Sequence, residues 1–137
     1  PVMITRPNEK TIIFERELMS DVRVIHLDHS VSRGAPSKLG HSLGWFEDAS
    51  LIVLTDNFVN DLWGSHTGIN SSDQKRLTEK FTLSGDGTYL IAEITIDDPV
   101  YLTKAHTFFH RWKKIANRDV IQAPCTMESA KLYLQGG

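Results

Sequence analysis

Two runs of alternating apolar and polar residues, 74–83 and 88–97, flank a turn at 84–87 that contains two glycines. Glycine supplies the positive φ that a tight hairpin turn needs, so this stretch is predicted to fold as a β-hairpin. Successive side chains of a strand point to opposite faces, and pairing across the turn defines one apolar face. That face carries Leu77, Glu79, Phe81, Leu83, Leu90, Ala92 and Ile94.

A second hairpin is predicted over residues 40–55, with its turn at Asp48 and Ala49. This turn pairs Phe46 with Leu51 and Gly44 with Val53. Both faces of the hairpin are apolar, so we expect cover on both sides, from a barrel interior and from a second layer or subunit.

The rest of the chain has the composition of short strands joined by loops. Residues 1–10 are interpreted as a polar lead-in and 56–73 as a long connection. Strands are predicted within 11–15, 22–28, 103–115, 119–122 and 131–134. Seven or eight short strands without an amphipathic helix predict an all-β protein, one domain over 1–137 closed as a small antiparallel barrel.

Composition excludes several classes of protein. The 137 residues are 40% hydrophobic and 23% charged, with a formal net charge of -2, which does not favour a nucleic-acid partner. The apolar runs are shorter than the roughly 20 residues of a membrane span. No cofactor fingerprint is present. We expect a cytoplasmic protein or, if the start at Pro1 is processed, a periplasmic one.

Glu79 is the first candidate for chemistry because it lies in the middle of an apolar face. A carboxylate that loses its hydration there can serve as a general acid or base. The alternative is a structural ion pair with an inward arginine, for which Arg23 and Arg111 are available.

Three more candidates lie near strand ends. His26 and Asp28 are two apart on one strand, so they share a face about 7 Å apart. They suit a base with an orienting carboxylate or a pair of metal ligands, whereas Asp28 alone could cap the following loop. His41, at the entrance of the 40–55 hairpin, could be a loop-borne base.

His106 and His110 are four residues apart. On a helix they could share a metal ion, but on a strand they are about 13 Å apart, too far for one ion. We therefore predict no metal site and assign them, with Phe108 and Trp112, to the wall of an aromatic-lined cavity.

The order of the motifs resembles a widespread bacterial family of mostly uncharacterised proteins. Its pattern is R-x-I-x-x-D, then G-h-S-x-G-x-W-E-G-D-T-L-V-V-x-T, then S with a later E-R-F, then D-P and C-x-E. The corresponding positions are Arg23, Ile25 and Asp28; Gly40-His41-Ser42, Gly44, Phe46, Glu47, Leu51, Val53 and Thr55; Ser71 and Glu79-Lys80-Phe81; Asp98-Pro99; and Cys125 and Glu128, which have one more residue between them than the pattern.

This chain departs from the family pattern at Phe46, Lys80 and Ala49, where the pattern has Trp, Arg and Asp. The resemblance implies a lipocalin-like (calycin-type) barrel and no settled activity. His106 and His110 lie outside the shared pattern, so they are the better candidates for a reaction specific to this chain.

Taken together, the sequence predicts a cofactor-free acid–base enzyme of the lyase, isomerase or cyclase type. Its substrate is expected to be a small apolar or aromatic molecule inside the barrel. The alternatives are a non-catalytic carrier of such a ligand and a homodimeric interaction protein. The catalytic candidates are Glu79, His26, His41, His106 and Asp28; the substrate-binding candidates are Phe108, His110, Trp112, Trp63 and Phe81.

Overall fold

The computed structural model describes residues 1–17, 21–64 and 68–116, which form one eight-stranded sheet curled into a half-barrel. The strands are β1 (Val2–Asn8), β2 (Thr11–Arg16), β3 (Val22–His26), β4 (His41–Glu47), β5 (Ser50–Asp56), β6 (Arg76–Leu83), β7 (Tyr89–Asp97) and β8 (His106–Lys113). They are neighbours in sequence order, so β1 and β8 are the two edges of the described sheet. The prediction of an all-β, lipocalin-like architecture is confirmed.

Both predicted hairpins have the expected register. Phe46 is opposite Leu51 across the β4–β5 turn. In the β6–β7 hairpin, Glu79 is opposite Ile94 and Phe81 is opposite Ala92. Asp48 adopts a φ of 51° at the first turn, a conformation that Asp tolerates better than most residues. Alternation along each strand was therefore sufficient to fix which side chains share a face.

The prediction of a lead-in over residues 1–10 is wrong, because most of this segment forms β1. β1 pairs with β2, with Ile4 opposite Phe14, and Val2 packs against the core. The register shifts between Thr5 and Asn8, around Pro7. An edge strand tolerates a proline at such an irregularity, so Pro7 does not prevent strand formation.

Among the eight described strands, β3 and β4 are the one parallel pair, and their contact is short. It joins Ile25 to Ser42 and His26 to Leu43. Residues 27–40 carry the chain back so that β4 starts beside the end of β3. Gly40 ends this connection with a φ of 67°, and a Cβ there would lie 2.5 Å from the carbonyl oxygen of Asp56. Only glycine fits that position.

The core lies on the inner face of the half-barrel. Its buried members come from five of the strands, and Ile25, Val53 and Ala92 have no exposed surface. The core consists of Ile12, Phe14, Ile25, Val53, Phe81, Ala92 and Ile94.

The outer end of the β4–β5 hairpin is not covered within the described part of the chain. Trp45 is 39% exposed and Phe46 is 55% exposed. The expectation of cover from a second subunit therefore stays a prediction. The strands predicted at 119–122 and 131–134, and the motif residues Cys125 and Glu128, lie outside the described residues.

Substituting Gly44 should test how closely β3 and β4 pack. A Cβ at Gly44 would lie 2.7 Å from Cγ2 of Ile25 and 3.2 Å from Cδ2 of Leu27. We expect Gly44→Ala to lower the free energy of unfolding by about 1–3 kcal/mol, the usual effect of overpacking. Urea denaturation measures this.

Gly85→Ala is the matched control, because nothing lies within 4 Å of a Cβ added at that turn position. Equal effects of the two substitutions would contradict the close approach of the strands at Gly44.

Candidate functional site

Glu79 and Arg23 form a buried ion pair on the inner face, with exposed fractions of only 3% and 7%. Both carboxylate oxygens accept hydrogen bonds from the guanidinium: Nη1 donates to Oε1 at 3.0 Å, and Nη2 donates to Oε2. Arg23 also donates to Ser42 Oγ at 3.0 Å and to Thr55 Oγ1 at 2.6 Å. Of the two arginines that the sequence offered, Arg23 is the partner.

This pairing limits what Glu79 can do chemically. Each of its carboxylate oxygens already accepts a hydrogen bond from one guanidinium, so Glu79 is held in place within the protein and is not directed at a ligand. The two hydroxyl groups hold the guanidinium in place and contact each other at 2.8 Å. Glu79 is thus part of a closed polar network whose four members come from β3, β4, β5 and β6.

His26 and His41 form a second cluster, where β3 meets β4. Their rings stack with centroids 5.1 Å apart and planes 21° apart. Ser42 and Ile25 face the interior, so their chain neighbours His41 and His26 face the other side of the sheet. The pair is therefore on the opposite side of the sheet from Glu79.

His41 is only 6% exposed, and its Nε2 has no hydrogen-bond partner among the described residues. Burial lowers the pKa of its imidazole, and the positive charges of His26 and Arg33 lower it further, against an opposing effect of Asp56. Arg33 donates to Asp56 Oδ2 at 2.7 Å beside it. The fold therefore disfavours the charged form of His41.

Asp28 serves the loop that follows β3. Oδ1 accepts hydrogen bonds from the backbone N–H of Ser30 at 3.0 Å and from its hydroxyl at 2.6 Å, and Oδ2 accepts from Lys10 at 3.1 Å. The Ser30 hydroxyl, its backbone amide and Lys10 lower the pKa of Asp28 to about 2. These contacts agree with the loop-capping alternative, and the structure gives no hydrogen bond between Asp28 and His26.

Four rings on the inner face of β8 form a continuous row, which we call the aromatic strip: His106, Phe108, His110 and Trp112. Consecutive ring centroids are 6.0, 5.6 and 5.7 Å apart. Trp112 also stacks on Phe81 at 6.3 Å, and Phe81 meets Phe14 edge-on at 5.2 Å. The row therefore runs from the buried core to the open edge of the sheet.

Trp63, expected to join this aromatic surface, lies elsewhere. Trp63 is in the long connection, where it is 74% exposed and adopts a φ of 66°. Its backbone N–H donates to Asn70 Oδ1 at 3.3 Å. No ring contact joins Trp63 to the strip within the described residues.

Sequence reasoning missed two buried charged groups that fix the long connection. Asp98, fully buried, accepts hydrogen bonds from the amide and hydroxyl of Ser72, both at 2.7 Å. Burial raises its pKa, but bonds from Ser72, Val100 and Tyr101 outweigh that effect and lower the pKa overall. In the sequence, Asp98-Pro99 stands out only as a match to the D-P element of the family pattern.

The second missed group is Lys75, which is 9% exposed. Its Nζ lies 4.1 Å from the centroid of the Phe58 ring and donates to Ser71 Oγ at 3.1 Å. Burial lowers its pKa, and Asp61 and Asp98 oppose that effect. No local pattern distinguished Lys75 from the exposed lysines of the sheet.

Two clefts open at the rims of the half-barrel. One, of about 420 Å³, is polar and includes Arg33, Asp56 and Lys75. The other, of about 510 Å³, lies beside Asp28 and Trp45. Neither includes Glu79 or the aromatic strip. In residues 1–17, 21–64 and 68–116, no group of three or more His, Cys, Asp or Glu side chains is arranged to hold a metal ion.

The geometry defines the class of protein as an all-β half-barrel with a neutralised buried ion pair and an aromatic inner edge. The chain matches no protein-family model, no curated protein and no solved structure. Within the described stretches, no helix has the length and apolarity to cross a membrane.

Removing one member of the buried ion pair should be far more damaging than removing both. We expect either Arg23→Met or Glu79→Leu alone to lower the free energy of unfolding by about 3–5 kcal/mol, because the remaining charge is left buried without its counter-charge. The double variant Arg23→Met with Glu79→Leu should lose much less. Urea denaturation of the wild type, both single variants and the double variant gives the coupling energy.

Additive effects of the two single substitutions would contradict the pairing. Lys80→Ala is a suitable control, since Lys80 neighbours Glu79 on β6 but is exposed.

The lowered pKa of His41 should make the free energy of unfolding depend on pH. Unfolded histidine takes up a proton as the pH falls through about 6.5, whereas folded His41 stays neutral to lower pH. The unfolded state then binds more protons, so the free energy of unfolding should fall on acidification below pH 6.5. His41→Phe, which keeps a ring against His26, should reduce the slope by at most about one proton.

Stability measured by denaturant titration at several values between pH 5 and pH 7.5 tests this. His106→Gln is the control, because His106 is exposed and its substitution should leave the contribution of His41 in place. An unchanged slope in His41→Phe would refute the assignment.

Proposed function

We propose that the protein binds a small planar apolar or aromatic molecule on the aromatic strip. The observation that carries the proposal is the unbroken row of ring contacts from Phe14 and Phe81 to the four rings of β8. Its buried end is anchored in the core, and its β8 end lies at the open edge of the described sheet.

The surroundings of the strip suit a flat apolar ligand. The β7 side chains opposite it are Leu90, Ala92, Ile94 and Ile96. Phe108 and Trp112 are half-buried and already packed against the core, so a ligand that stacks on them orders few new side chains. Each Å² of apolar surface removed from water contributes about 25 cal/mol.

The geometry favours binding over acid–base turnover. Glu79 is neutralised by Arg23, and Asp28 is committed to its loop. His26 and His41 are on the other side of the sheet from the strip. Of the five candidates for proton transfer, His106 is the one on the strip. None of the other four lies beside it to act as its partner acid or base. A non-catalytic carrier or binding role therefore has the stronger support.

Phe108→Ala should weaken binding of neutral planar probes such as indole and 2-naphthol about 2- to 10-fold, the contribution of one aromatic contact. Affinity can be measured by isothermal calorimetry. Quenching of Trp112 gives a second readout in a Trp45→Phe, Trp63→Phe background, which leaves Trp112 as the single tryptophan of the three in the chain.

Phe109→Ala is the matched control, since Phe109 is the same residue type on the opposite face of β8 and is 67% exposed. It should change affinity less than twofold. Equal losses in the two variants, or no saturable binding of any probe, would refute the proposal.

A further inference from the structure

We propose that the ligand of the aromatic strip is an aromatic acid, whose ring stacks on Phe108 or Trp112 while its carboxylate accepts a hydrogen bond from His106 or His110. This inference rests on the proposed function and names its ligand class. It follows from how imidazole and carbocyclic rings alternate along β8 and from the charges around them.

The two imidazoles lie on either side of Phe108. His106 is nearly parallel to the Phe108 ring, with planes 24° apart, whereas His110 is edge-on to it at 85° and stacks on Trp112 at 23°. Every apolar ring of the strip therefore has an imidazole next to it. A flat ligand on either ring brings a substituent within reach of an N–H donor.

Neither imidazole has a polar partner among the described residues. The β7 residues opposite them are apolar: Ile96 faces His106, and Ala92 faces His110. Both histidines are exposed. Their ring nitrogens are consequently available to a ligand without the loss of an existing protein hydrogen bond.

The carboxylates of the neighbouring segments are committed elsewhere. Glu79 of β6 is paired with Arg23, and Asp98, just after β7, is bonded to Ser72. Glu93 of β7 is opposite Phe109, on the outer face. No carboxylate in the described residues is therefore placed to neutralise a positive charge on the inner face of β8.

The cations of β8 lie on its outer face. Arg111 and Lys113 alternate with the rings of the strip, and Arg111 lies 4.5 Å from the centroid of Tyr89. The imidazole N–H groups are therefore the donors that β8 offers beside the rings on its inner face. A neutral ring could use the stacking surface, but only an anion uses both features.

The test compares 2-naphthoate with its neutral analogue 2-naphthamide by isothermal calorimetry at pH 6.0. The two probes share the ring system and differ in charge. We expect naphthoate to bind about tenfold or more tightly than the amide, as charge-assisted hydrogen bonds are stronger than neutral ones.

Variants assign the preference to the histidines. His106→Leu with His110→Leu removes both side-chain donors and should abolish the preference for naphthoate while naphthamide still binds. Arg111→Gln is the matched control: it removes a full positive charge from the same strand but on the outer face, and the preference should remain.

The two proposals fail in different ways. Equal affinities for the two probes in the wild type, or a preference lost in Arg111→Gln and kept in the double histidine variant, would overturn the aromatic-acid assignment alone. Absence of binding of both probes, or unchanged binding in Phe108→Ala, would overturn the proposed function and this inference with it.

Discussion

The ion pair between Arg23 and Glu79 holds together the part of the sheet where the backbone contributes least. Strands β3 and β4 share only two residue pairs. Across that gap, the guanidinium of Arg23 reaches Ser42 on β4, Thr55 on β5 and Glu79 on β6. One side chain thus links four strands, and its satisfied donors define a unique arrangement that apolar packing alone would leave less specific.

The same interaction explains why an acidic residue at the centre of an apolar face need not be catalytic. Two buried charges are expensive to desolvate separately, but a bidentate pair with further hydroxyl groups offsets much of that penalty. In this sheet the polar network occupies the inner face where a barrel enzyme could keep its reactive group. The ring surface at β8 is the part of the inner face that this network leaves open, and our proposal assigns ligand binding to it.

Local sequence patterns predicted the parts of the fold that depend on local alternation. The registers of the β4–β5 and β6–β7 hairpins, the inward position of Glu79 and the shared face of the four β8 rings all follow from period-two patterning and turn chemistry. The parallel contact after residues 27–40 did not follow, because nothing local says which strand a returning chain will meet. β1 was missed because Pro1, Pro7 and the polar residues obscured Val2 and Ile4.

The candidate site also combines features that local alternation predicts with contacts that only the folded sheet determines. Arg23 and Arg111 were both offered as partners for Glu79, but Arg111 alternates with the inward rings of β8 and lies on the outer face. That Arg23 reaches Glu79, three strands away, depends on the curl of the sheet. The burial of His41 and the stack with His26 arise from the β3–β4 junction, which no hairpin rule describes. For Trp63 the prediction assigned too much to the site. This large aromatic residue was expected to bind the substrate, but it is exposed and lies in the long connection with a positive φ.

The short β3–β4 junction also divides the sheet mechanically. Strands β1 to β3 form one antiparallel unit and β4 to β8 another, each with a continuous backbone ladder. Few hydrogen bonds must break to separate the two units, so they are natural candidates for distinct cooperative units in hydrogen exchange. The polar contacts of Arg23, together with the core packing of Phe14 and Ile25, then determine how often the smaller unit opens. Exchange of the β2 and β3 amides, compared between the wild type and Arg23→Met, would separate the polar contribution from the apolar one.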